Sequence, residues 1–250
     1  MINRRQFIAG GLLGVASLPL LASYRKSIIG AHLTSAIEEA GEGLPKGFVQ
    51  NTAMEVIANG GNFKPIDSGI LCPQTGSFWV ECDWVMTKQS SNAYIRPCGL
   101  WTVEGNTIGL SMSNWYNGRV INMQYGLYGN KEFTRTSAIK FHEFPFRCGF
   151  GMLDGYDVIS IGDETWQQEP IGGERGTGTS TFVFCGCGNT WDNIVGTLVG
   201  PSRIFLDGEV VWDGIPCTRL SDGVPGFFDL CKRKFHASTK GIAAYDLPEE

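Results

Sequence analysis

Over residues 78–87 the chain reads FWVECDWVMT, and its side chains alternate strictly enough to predict a β-strand. Phe78, Val80, Cys82, Trp84 and Met86 share one side, a continuous core face. Trp79, Glu81, Asp83 and Val85 share the other, which lines either solvent or the concave face of a sandwich. Further short strands are predicted over residues 94–101, 107–112, 119–125, 137–146, 157–161 and 181–184. Between them lie the turn residues Glu104-Gly105-Asn106, Asn117-Gly118, Gly129-Asn130 and Asp154-Gly155. Asn117-Gly118, set between Trp115-Tyr116 and Arg119-Val120, is the strongest hairpin signal in the chain.

The pattern is densest near the C-terminus. A strand over residues 203–206 turns through Asp207-Gly208 and resumes over residues 209–212 before Asp213-Gly214-Ile215-Pro216, which reads as a hairpin. Ser221-Asp222-Gly223 and Val224-Pro225-Gly226 read as consecutive turns leading into the apolar strand Phe227-Phe228-Asp229-Leu230, which stops at the basic run 231–234. An antiparallel sheet closed by a late strand follows from this order.

Helical periodicity is confined to the N-terminal part. Ile28, Ile29, Leu33, Ala36, Ile37 and Ala40 fit one face of a short helix over residues 27–40, ended by Gly41-Glu42-Gly43. Ahead of it, Arg4-Arg5 and Phe7-Ile8 introduce an apolar run over residues 8–21, too short and glycine-rich for a membrane span. Residues 1–22 resemble a twin-arginine export signal, the alternative being an ordinary secretory signal that starts Arg-Arg. Leu20 stands where a cleavage site wants a small residue, so the leader is either cut near Ala22 or kept as an anchor. The expected organisation is a leader over 1–22, a linker with a short helix over 23–43, and one domain over 44–250. The expected location is outside the cytoplasm: periplasmic, cell-surface or secreted.

Composition narrows the class. With 34 glycines among 250 residues, 12% aromatic and 18% charged, the chain suits short strands joined by tight turns and is long enough to bury a large core. The net charge of -5 gives no electrostatic footprint for nucleic acid and no polybasic membrane patch. Eight cysteines permit a disulfide framework or buried free thiols, and spacing does not pair them. Only Cys185-Gly186-Cys187 is closely spaced and the three histidines are scattered, so no metal site is expected.

Two sets of residues carry a family resemblance. Near residue 44 stand Leu44-Pro45-Lys46-Gly47-Phe48, then Ile57-Ala58-Asn59-Gly60-Gly61, then Ile66-Asp67-Ser68-Gly69-Ile70. Towards the end stand Phe205-Leu206-Asp207-Gly208, Ile215-Pro216-Cys217, Ser221-Asp222-Gly223, Pro225-Gly226-Phe227-Phe228-Asp229 and Lys234-Phe235. In this order they resemble the laminin-G-like, concanavalin A-like domains of surface and phage-associated proteins of gut bacteria. Pro65, where the family has an aromatic residue, and the loosely kept tail 241–245 depart from it. The resemblance implies an all-β, antiparallel concanavalin A-like β-sandwich (jelly roll) behind the signal segment and short helix. At family level it implies non-catalytic recognition, of a glycan or of a surface protein.

The candidate chemistry agrees. A laminarinase-type glycosidase needs paired carboxylates in an E-x-D-x-x-E or E-x-D-x-E strand; Glu81-Cys82-Asp83 opens that pattern, and Val85 and Met86 break it. Glu81 and Asp83 are therefore the weaker, concave-face candidates, and no catalytic residue is assigned. A nucleophile elbow and a phosphate-cradling loop are both absent. Carbohydrate sites combine aromatic faces with amide and carboxylate partners, a composition found in Trp115, Tyr116 and Asn117 and again in Trp191, Asp192 and Asn193. These six are the candidate ligand-binding residues, with tryptophans tucked over a sheet edge as the competing reading. No cofactor is implied; Asp154, Asp192 and Asn193 offer oxygens to calcium without forming a calcium loop. The alternatives to recognition are a structural or adhesion component of a surface or phage-type assembly, and a divergent glycoside hydrolase.

Overall fold

The structure is a computed structural model and describes residues 43–58, 64–86, 94–101, 109–113, 120–125, 131–136, 146–162, 164–170, 180–186 and 196–246. The leader and the 27–40 helix lie outside these residues. The described strands, in chain order, are β1 (Phe48–Gln50), β2 (Ala53–Val56), β3 (Ile66–Leu71), β4 (Phe78–Met86), β5 (Tyr94–Trp101) and β6 (Gly109–Ser113). They continue with β7 (Val120–Tyr125), β8 (Lys131–Thr136), β9 (Phe146–Leu153), β10 (Tyr156–Ile161), β11 (Glu164–Gln168) and β12 (Thr181–Phe184). The last five are β13 (Thr197–Leu206), β14 (Glu209–Arg219), β15 (Val224–Asp229), β16 (Lys234–Ala237) and β17 (Ile242–Tyr245).

These strands form two antiparallel sheets. The larger follows the order β11-β10-β9-β4-β13-β14-β15-β16, with β1 on β14, β2 on β13 and β17 on β2; the smaller follows β3-β12-β5-β6-β7-β8. Inward side chains of both sheets meet in one core. Val80, Cys82, Phe150, Ile204 and Trp212 come from the larger sheet, and Ile66, Leu100, Phe182 and Phe184 from the smaller. Aromatic rings lock the layers together: Phe184 stacks on Trp212 at 5.6 Å between centroids, and Phe182 meets Phe78 at 5.5 Å. The expected all-β antiparallel sandwich is the observed fold.

Local chemistry explains the pairing. Asp154-Gly155 and Asp207-Gly208 both take positive φ, at 51° and 82° and at 48° and 87°, the handedness a two-residue hairpin turn requires. They join β9 to β10 and β13 to β14. The Asp207 carboxylate accepts the backbone N–H of Ser77 at 2.7 Å, fixing the loop that leads into β4.

One strand end and one turn read from sequence are corrected. Asp213-Gly214-Ile215-Pro216 does not end its strand: β14 continues to Arg219, paired with β15. Gly214 is small because a Cβ there would stand 2.5 Å from Trp212 Nε1, so its glycine serves packing. Likewise Val224-Pro225-Gly226 is strand, paired with Cys217–Arg219, and a Cβ on Gly226 would strike the His236 carbonyl. Of the strand expected over 137–146 only Phe146 is described, at the start of β9. Of the seven described cysteines six are buried and Cys231 is exposed.

Candidate functional site

β4 sets the site. Phe78, Val80 and Cys82 enter the core, so the pleat sends Trp79, Glu81 and Asp83 to the outer face of the larger sheet. Across β9 the partners of these three are Gly151, Gly149 and Arg147. The Arg147 guanidinium donates to Asp83 Oδ1 at 2.6 Å and to Glu81 Oε1 at 2.8 Å. Glu81 Oε2 accepts the indole N–H of Trp79 at 2.9 Å. Both oxygens of Glu81 are therefore engaged, and its side chain is only 7% exposed. Burial opposes the charge on Arg147, but Glu81 and Asp83 outweigh it and hold the guanidinium pKa above its ordinary value.

The two glycines of β9 make room. Gly149 lies under the Trp79 ring, where a Cβ would collide with Cζ2, and Gly151 lies against the Phe78 carbonyl. With no side chains of their own they let the Trp79 ring lie flat on the sheet, which is why Trp79 is buried although it points away from the core.

The register extends the site across six strands. Thr165 on β11 pairs with Ser160 on β10, Ser160 with Gly149, Gly149 with Glu81, Glu81 with Arg203 on β13, and Arg203 with Asp213 on β14. All members of this lateral row except Gly149 are polar. Ser160 and Thr165 share a hydroxyl contact at 3.1 Å, and Arg203 Nε donates to Asp213 Oδ1 at 3.1 Å. Arg147, Asp83, Arg203 and Asp213 keep 40%, 27%, 23% and 25% of their side chains exposed, so this stripe presents both donors and acceptors to solvent.

Of the residues singled out from sequence, Glu81 and Asp83 lie here on adjacent outward positions of β4. Trp115, Tyr116, Asn117, Trp191, Asp192 and Asn193 lie outside the described residues. Sequence reasoning missed Arg147, Arg203 and Asp213, whose roles depend on pairing between distant strands. The signal available was Arg147-Cys148-Gly149-Phe150-Gly151, which alternates core residues with outward glycines. Asp154 stands exposed in its hairpin turn, and among the described residues no three acidic, histidine or cysteine side chains converge to hold a metal ion.

Fold and outer face together define a two-sheet antiparallel β-sandwich with a polar outer face. No known family model matches the chain, and no curated protein matches it. Among solved structures it is similar to the heptameric SAP-like pentraxin of Limulus polyphemus, at 11% identity over 79% of this chain and 96% of that one, with a TM-score of 0.49. It is similar to domains LG4-5 of the mouse laminin alpha1 chain, at 11% identity over 81% of this chain and 48% of that one, TM-score 0.47. It is also similar to the enzymatically active domain of tailspike protein 2 of bacteriophage CBA120, at 12% identity over 68% of this chain and 30% of that one, TM-score 0.45. The chain thus spans under a third of the tailspike chain and about half of the laminin fragment. These likenesses bring no activity with them.

Proposed function

We propose that this protein is a non-catalytic recognition module, exported by its leader and acting at or outside the cell envelope, where it binds a glycan or a surface partner. The observation that carries the reading is the clamp of Arg147 on Glu81 and Asp83 within the six-strand polar row. A glycosidase needs one carboxyl to give its proton to a leaving group and a second to act on the sugar. Glu81 is buried with both oxygens accepting hydrogen bonds, and Asp83 is tied to the same guanidinium, so the pair is arranged as a scaffold. What remains exposed is a stripe of fixed donors and acceptors, the groups that order sugar hydroxyls or the polar rim of a protein partner. Trp115, Tyr116, Asn117, Trp191, Asp192 and Asn193 are proposed to add stacking and amide contacts, on the strength of their composition.

A glycan-array screen of the full-length chain tests this, run beside Arg203→Ala, Trp115→Ala and Trp191→Ala variants that retain the wild-type circular dichroism. Binding of a glycan by the wild type, lost in Arg203→Ala, supports recognition on the outer face; loss only in a tryptophan variant moves the site to the loops. Release of reducing ends from a bound polysaccharide would overturn the non-catalytic reading.

A further inference from the structure

Four thiols converge inside the sandwich. Cys82 on β4 and Cys148 on β9 come from the larger sheet, Cys98 on β5 and Cys185 after β12 from the smaller, and all four have no exposed surface. Cys82 and Cys148 are direct cross-strand partners, and their sulfurs stand 3.7 Å apart. Opposed residues on antiparallel strands have Cα atoms about 4.5 or about 5.5 Å apart, and both separations fall within the roughly 4.4–6.8 Å that a disulfide spans. Closing the bond therefore asks for side-chain rotation and leaves the backbone register in place.

We propose that Cys82 and Cys148 form a cross-strand disulfide when the chain folds in the presence of a disulfide oxidant, stapling β4 to β9 directly beneath the outer-face ion pair. Cys82 also hydrogen bonds to Cys98. A bond to that sulfur would tie together two sheets whose spacing the packed core sets, whereas Cys148 lies on the strand already paired with Cys82. Burial opposes ionisation of Cys82, yet the hydrogen bonds from Cys148 and Cys98 bring its thiol down, while burial holds Cys148 well above the usual range.

Because neither sulfur is exposed in the folded chain, the exchange takes place before the smaller sheet closes over them. The thiolate of one cysteine of the pair attacks one sulfur of the oxidant's disulfide and releases the other as a thiol, forming a mixed disulfide. The thiolate of the other cysteine then attacks the protein sulfur of that mixed disulfide, forming the Cys82–Cys148 bond and releasing the second thiol. Two protons leave the cysteines for the two released thiols; the protein is oxidised and the oxidant reduced by two electrons. The pairs Glu81 with Gly149 and Asp83 with Arg147 flank Cys82 with Cys148 on either side, so the staple fixes the register on which the clamp depends.

The test refolds the full-length, reduced chain in a mixture of oxidised and reduced glutathione, and separately in reductant alone. Each sample is then alkylated in denaturant, digested without reduction and mapped by mass spectrometry. The expected result is a linked Cys82/Cys148 peptide pair, two hydrogen masses lighter than the sum of its thiol forms and absent from the reductant sample. A raised denaturant midpoint for the oxidised chain, with unchanged circular dichroism, should accompany it. Cys148→Ala should lose both the linked pair and the rise; if that variant does not fold, the wild-type map decides alone. Complete alkylation of Cys82 in the glutathione sample, or its linkage to Cys98 or any other cysteine, overturns the proposal.

Discussion

Arg147 stands directly across from Asp83 in the β4–β9 register and holds it at 2.6 Å while reaching Glu81 at 2.8 Å. One guanidinium thus organises two carboxylates on a sheet face, and only the Glu81 end of the clamp is buried. Its removal should cost stability mainly through that end.

Arg147→Met keeps a long apolar stem and removes the charge. Breaking a fully buried pair costs about 3–5 kcal/mol, and since Arg147 is 40% exposed the expected loss is about 2–3 kcal/mol by denaturant titration. Adding Glu81→Gln to Arg147→Met should restore part of the loss, because the stranded buried charge is gone. Equal destabilisation by the single and double variants would show that the clamp contributes packing and no charge pairing.

Gly149→Ala probes the seat of the Trp79 ring. A methyl group there meets Cζ2 of Trp79, so the ring must lift and its N–H must leave Glu81. Overpacking of this kind costs about 1–3 kcal/mol, and a wetter indole should shift its fluorescence emission to the red. A wild-type spectrum and stability for Gly149→Ala would mean the ring is not seated on β9.

How much of this site could be read along the chain depends on the range of the interaction. The period-two pattern of residues 78–87 put Trp79, Glu81 and Asp83 opposite Phe78, Val80 and Cys82, as the structure has them. Asp154-Gly155 and Asp207-Gly208 announced their hairpins because turn chemistry is local. Arg147 was illegible as the partner of Asp83: the two are 64 residues apart, and only the register of β4 on β9 joins them. Gly214 and Gly226 misled for a physical reason. Glycine marks a turn when it supplies positive φ, and marks close packing when a neighbouring ring or carbonyl occupies the space of its Cβ, and sequence alone does not separate these uses.

Trp212→Phe should separate hydrogen bonding from packing in the core. Trp212 stacks on Phe184 and donates its indole N–H to Ser202 Oγ at 2.9 Å, both residues being fully buried. Phenylalanine keeps part of the stack and leaves the hydroxyl without this donor, at a cost of about 1–3 kcal/mol beyond the smaller ring's packing loss. Trp212→Phe combined with Ser202→Ala should be less destabilised than the sum of the two single changes; strict additivity would argue against the bond.

His236 makes the fold sensitive to mild acid. Its Nδ1 lies 2.8 Å from the Asp67 carbonyl, which only accepts, so Nδ1 carries the hydrogen and Nε2 is the protonation site. Nε2 is shielded and makes no hydrogen bond among the described residues, and the half-buried ring stands edge-on to Trp212 at 4.8 Å. Desolvation lowers its pKa, and Lys234 acts in the same direction; the hydrogen bond to Asp67 and the charges of Asp229 and Asp67 act against this without reversing it. The unfolded chain takes up this proton near the ordinary histidine value of about 6.5, and the folded chain only at lower pH. The unfolded state therefore binds more protons in the window below about 6.5, so this contribution to stability is complete above that value and is lost as pH falls towards the folded-state pKa. Urea midpoints measured at about pH 7.5 and about pH 5.5 should fall for the wild type, and His236→Gln, which cannot titrate, should show a smaller fall. The same fall in both proteins would place the acid sensitivity elsewhere, among the carboxylates.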